Sequence, residues 1–124
     1  MHEAAKVYAK AALATGNPRE LEAQLLLRAA AKLQAVKDGD VTADDGIESA
    51  IRYNRRLWLV FADAIGRPEN PLPREIKQNV ANLAVFVLKH SMSIETSTEP
   101  ATERLGVLIN INRKLAAGLR AKAA

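Results

Sequence analysis

Apolar side chains recur at a spacing near 3.6 residues through five stretches of this chain, and the breaks between them carry Gly, Pro or cap residues where helices end. That pattern predicts an all-α fold, a single compact bundle of about five helices occupying residues 1–124. Alanine is abundant and β-branched and aromatic residues are sparse, so intrinsic propensity points the same way.

The first stretch, residues 3–14, has a weak stripe of Val7, Tyr8 and Ala11 and stops at Gly16. Asn17 as cap, Pro18 in the first helical position and Glu20 behind it then start a second helix. Its expected core face is Leu21, Leu25, Ala29, Leu33 and Val36, and Asp38-Gly39-Asp40 ends it. Thr42 can cap a third helix, with Asp44 and Asp45 in its first turn, lined by Ile47, Ile51, Trp58, Phe61 and Ile65 and closed at Gly66. The next seven residues, Arg67-Pro68-Glu69-Asn70-Pro71-Leu72-Pro73, hold three prolines and form a stiff connector, because proline lacks an N–H and pushes its predecessor out of the helical region. A fourth helix opens at Pro73 and carries Ile76, Val80, Leu83, Val87 and Ile94; residues 91–99, rich in Ser and Thr, read as a connector. Thr98 or Glu99 before Pro100 begins the last helix, with the stripe Leu105, Leu108, Ile109, Leu115 and Leu119. Gly118 weakens its last turns, and the basic tail 119–124 is expected to be loose. Short connectors predict antiparallel neighbours.

At 124 residues the chain has the size of one domain. It has no cysteine, hence no disulfide, thiolate metal site or cysteine nucleophile, and only His2 and His90 as imidazoles. The first ten residues mix Glu3, Lys6 and Lys10 into alanines and lack a signal-like apolar run, so the protein is expected in the cytoplasm. The longest wholly apolar run, residues 83–88, is far below the roughly 20 residues that span a bilayer, so membrane insertion is not expected. The net charge of +4 admits an acidic partner but lies within the ordinary solubilising range.

Catalytic signatures are missing: there is no phosphate-cradling glycine loop, no paired histidines on one helical face and no nucleophile elbow, so neither an enzyme nor a cofactor is expected. His90, close to the end of the fourth helix, suits the macrodipole better than it suits catalysis. Asp38, Asp40, Asp44 and Asp45 lack the spacing of a calcium loop and read as a solvated turn. Arg52-Tyr53-Asn54-Arg55-Arg56 resembles a nucleic-acid patch in composition, yet Glu48 one turn earlier and the absence of a second basic–aromatic cluster favour a solvated face.

Two features stand out. Asn54 falls on the apolar stripe of its helix, as do Asn79 or Asn82 and Asn112 on theirs; such amides need partners and predict hydrogen bonds that fix helix register. Residues 57–61, 83–88 and 107–109 are apolar around nearly the whole helix, which predicts either complete cover by the other helices or an open groove for a partner's amphipathic helix.

The run Pro18-Arg19-Glu20-Leu21-Glu22-Ala23 followed by Leu25-Leu26-Leu27, then Tyr53-Asn54-Arg55-Arg56-Leu57-Trp58, the three-proline connector, Asn79-Val80-Ala81-Asn82-Leu83, and Leu108-Ile109-Asn110-Ile111-Asn112-Arg113 with Ala116-Ala117-Gly118-Leu119 resemble the FlaF family of flagellar biosynthesis regulators in order and spacing. The resemblance implies a non-enzymatic cytoplasmic protein that promotes flagellin synthesis and export opposite a partner called FlbT, associated with flagellin in the manner of a secretion chaperone. No residue is marked for that role by the family pattern. A helical segment of flagellin is expected to meet apolar side chains of the last three helices, with Asn and Arg at the rim, and the candidate contacts are Arg55, Arg56, Leu59, Asn82, Val85, Asn110 and Arg113. The competing expectation is an RNA-binding regulator of flagellin message acting through Arg52, Arg55, Arg56 and the basic tail, which salt would weaken steeply.

Overall fold

The computed structural model describes residues 18–40, 44–97 and 101–123. They form four helices, α1 (Pro18–Lys37), α2 (Asp44–Gly66), α3 (Arg74–Thr96) and α4 (Thr102–Ala123), with no strand among the described residues. The all-α expectation is met with four helices, and the fifth expected one, residues 3–14, lies outside the described residues, as do the caps expected of Asn17 and Thr42.

Neighbouring helices run antiparallel. A bidentate ion pair from Arg120 to Glu20 joins the end of α4 to the start of α1, while Lys37 at the end of α1 reaches Gly106 near the start of α4. α1 against α4 is the most extensive packing of the bundle, and these two helices bury the small residues Ala23, Ala29, Ala30 and Ala116. α2 packs on α1, α3 packs on α2, and the contact of α3 with α4 is sparse.

Each helix end has a local cause. α1 stops in a Schellman motif: Gly39 takes φ 78, its N–H reaches Val36 O, and the Asp40 N–H reaches Ala35 O, satisfying two terminal carbonyls. The three-proline connector is stapled by side chains, with Asn70 Oδ1 accepting the Leu72 N–H at 3.0 Å and Lys77 Nζ donating to Arg67 O at 2.7 Å. Pro73 takes the N-cap position in extended conformation, and its carbonyl accepts the Lys77 N–H.

Three expectations are corrected. The buried face of α1 is Glu22, Ala23, Leu26, Ala29, Ala30 and Leu33, so Leu21 and Leu25 stand on its shoulder; leucine and alanine surround this helix, and the stripe alone does not select a face. Residues 91–96 continue α3 instead of leaving it, because the Ser91 and Thr96 hydroxyls turn back onto the Val87 and Met92 carbonyls and no longer compete with the helix. The basic tail is helical to Ala123, held in part by the Arg120–Glu20 pair.

The core joins Leu26 and Leu33 of α1, Ile51, Trp58, Phe61 and Ile65 of α2, Val80, Val87 and Ile94 of α3, and Leu105, Leu108, Ile109 and Leu119 of α4. At its centre lies a polar knot. Asn112 Oδ1 accepts the Trp58 indole N–H at 3.0 Å, and Asn112 Nδ2 donates to Asn54 Oδ1 at 2.7 Å and to Leu26 O at 3.2 Å. Asn54 and Asn112 therefore do what their place on apolar stripes requires, tying α1, α2 and α4 in one register. Asn79 and Asn82 do not: both are exposed on α3.

Candidate partner-binding surface

The core face of α3 is Val80, Ala84, Val87, Ser91 and Ile94. Helical spacing puts Asn82, Val85, Phe86, Lys89 and Met92 on the opposite side, and there the helix exposes large apolar groups: Val85 is 52% exposed, Phe86 45% and Met92 59%. An outward face would normally be polar, so this band is apolar surface that folding leaves in water. Val107 on α4 is the remaining large apolar residue exposed to a similar degree among the described residues.

One ring of the band is oriented by contacts at the α4 end of the helix. Phe86 stacks on His90 with ring centroids 5.3 Å apart and planes 16° from parallel. His90 Nε2 in turn donates to Arg104 O of α4 at 3.0 Å, and the Arg104 guanidinium donates to Ser93 O and Oγ. His90 is thus an interhelical strut that orients an exposed ring, in place of the macrodipole role expected of it. Gln78 donates to Asn82 Oδ1 at 3.1 Å along the same face.

The seven candidate contacts fall on three outer faces. Asn82 and Val85 lie together on the α3 band. On α2, Arg56 is exposed, Leu59 is half-buried, and Arg55 is tied to Glu95 of α3. On α4, Asn110 is exposed and Arg113 points to Gln34 of α1, with Nη2 at 3.4 Å from Oε1. Phe86 and Met92 complete the band and were not among the candidates. Met92 lies in a stretch read as connector; continued as helix, it falls about two turns beyond Val85 on the same face.

The basic stretch of α2 is divided. Arg55 spends its charge on Glu95, and Tyr53 turns toward α1, where Lys32 Nζ lies 4.9 Å from its ring centroid. Arg52 and Arg56 remain exposed. Among the described residues no cluster of His, Asp or Glu is placed to hold a metal ion, and no helix is long and apolar enough to cross a membrane.

A family model described as flagellar protein FlaF matches residues 4–119. No curated protein and no solved structure matches the chain.

Proposed function

The chain belongs to the FlaF family of flagellar proteins, and on that premise we propose that it binds flagellin as a secretion chaperone and so promotes flagellin synthesis and export, without catalysis and in the cytoplasm. The observation that carries the proposal is the outward face of α3, where Val85, Phe86 and Met92 are exposed beside Asn82. An amphipathic helix docks by laying a few apolar anchors on such a surface while amides at the edge set its register. A chaperone that keeps a helical export substrate from assembling early needs that property and no active site. The proposal extends to a functional link with FlbT, to which no surface is assigned.

Calorimetric titration of the purified protein with soluble flagellin, at low and high salt, tests the proposal. Binding is expected at both, with a negative heat-capacity change that marks apolar burial. Val85→Asp is expected to weaken binding at least tenfold, about 1.4 kcal/mol, with an unchanged circular dichroism spectrum. Removing Arg55 and Arg56 should do less. Absence of binding at either salt, or binding only at low salt that RNA competes away, overturns the chaperone reading and favours the nucleic-acid alternative.

A further inference from the structure

A second surface feature lies away from the α3 band, at the end of the bundle where α2 begins, α3 ends and α4 begins. A half-open cleft of about 450 Å³ is walled by Ile47 and Ile51 of α2, Ile94 of α3 and Ala101, and two carboxylates, Glu48 and Glu95, stand in its lining. Glu48 is exposed and forms no ion pair among the described residues. Glu95 is met by Arg55 through Oε1. Ser97, at the C-cap of α3, completes the wall, and the Arg104 guanidinium meets the α3 terminus at Ser93 O. The opposing positive end of α4, which starts at Thr102, is offset by Glu103 in its first turn.

An apolar floor with a negative rim selects its occupant. An anion meets two carboxylates in the lining, and a purely apolar group leaves Glu48 desolvated without a partner. A lysine or arginine side chain matches both parts, because its alkyl stem covers isoleucine surface while its head stays at the wet edge. We infer that this cleft is a docking site for a lysine or arginine side chain of a partner polypeptide, its stem on Ile47, Ile51 and Ile94 and its charge against Glu48 and Glu95. Arg55 shows the chemistry within the chain itself: it arises one turn beyond Ile51 on α2 and delivers its guanidinium to Glu95. The inference is independent of the flagellin reading, which uses the outward face of α3.

The test uses the whole chain, isotopically labelled, and two short amphipathic helical peptides identical except that one carries lysines and the other glutamines along its polar edge. The lysine peptide is expected to shift the methyl resonances of Ile47, Ile51, Ile94 and Ala101, and the glutamine peptide to bind roughly tenfold more weakly. Glu48→Gln should weaken the lysine peptide by a similar factor, Glu48→Lys should abolish its binding, and Val85→Asp should leave it unchanged; each variant is checked for native circular dichroism. Equal binding of both peptides, shifts centred on Val85 and Phe86, or absence of binding overturns the assignment. Concentration-dependent shifts at the cleft without peptide also overturn it, since the occupant would then be a second copy of the chain.

Discussion

Asn112 holds three helices with a single amide, accepting from Trp58 through Oδ1 and donating to Asn54 Oδ1 and Leu26 O through Nδ2. Removing it leaves the Trp58 N–H and the Asn54 carbonyl buried without partners, at about 1–3 kcal/mol each, so Asn112→Ala is expected to cost roughly 2–6 kcal/mol in urea unfolding. Asn54→Ala should cost less, because Asn54 Nδ2 already has no hydrogen-bond partner and Asn112 keeps two of its three bonds. If the two losses are equal, the knot is not organised around Asn112. Trp58, fully buried and edge-on to Phe61, is expected to cost roughly 3–5 kcal/mol as Trp58→Ala. Glu20 adds a pH dependence. Hydrogen bonds from Arg120, reinforced by its charge, hold the Glu20 carboxyl below the ordinary glutamate value. A depressed carboxylate stabilises the fold above its unfolded pKa, and that contribution disappears as pH falls through the folded pKa. The stability difference between wild type and Arg120→Gln should therefore be present near neutrality and vanish in acid, while the Glu20 carboxyl resonance should titrate at higher pH in the variant. Asn54 and Asn112 were legible in the sequence because each interrupts an apolar stripe; Asn79 and Asn82 misled because residues 83–88 are apolar all round and define no stripe to interrupt.

Helix boundaries marked by proline or glycine were the most legible elements, because these residues act within a few bonds of where they stand. α1 starts at Pro18 and turns at Gly39, α2 ends at Gly66, and the three prolines separate α2 from α3. Faces were less legible where composition is uniform: α1 buries Glu22, clasped by Arg19 at 2.8 Å, and leaves Leu21 half-exposed, a choice made by the close α1–α4 packing and not by local pattern. The candidate surface suffered in the same way, since Met92 entered it only once Ser91 and Thr96 were seen to bond their own helix. Two glycines test the distinction between local and tertiary causes. Gly118 lies exposed within α4 with nothing within 4 Å of an added Cβ, so Gly118→Ala should stabilise by roughly 0.5–1 kcal/mol through helix propensity. Gly39, also in open space but at φ 78, should lose about 1–2 kcal/mol as Gly39→Ala because an L side chain is strained there. Thermal melts of the pair should move in opposite directions, and a shared sign would mean that space, not backbone conformation, governs both positions.

At the scale of the whole molecule, the helices are not held equally. α1 and α4 share the most extensive contact and, with α2, the Asn112 knot, whereas α3 rests on α2 and has its least packing against α4. The polar ties from α3 to α4 lie close to their connector, through His90, Ser93 and Arg104. Local opening follows the weakest packing, and elements with few buried contacts and much exposed surface exchange at the lowest free energy. The helix that presents Val85, Phe86 and Met92 is therefore the one best able to shift when a partner docks. Native-state hydrogen exchange is expected to show the amides of residues 80–88 opening by a sub-global route, while the amides of α1 and α4 around Leu26 and Asn112 exchange only through global unfolding. If flagellin docks on this face as proposed, it should raise the protection of α3 more than that of α1, because it would add the cover this face lacks in the free protein. Protection of α3 equal to that of α1 and α4 in the free protein would show that the bundle opens as one unit and that the binding face is as rigid as the core beneath it.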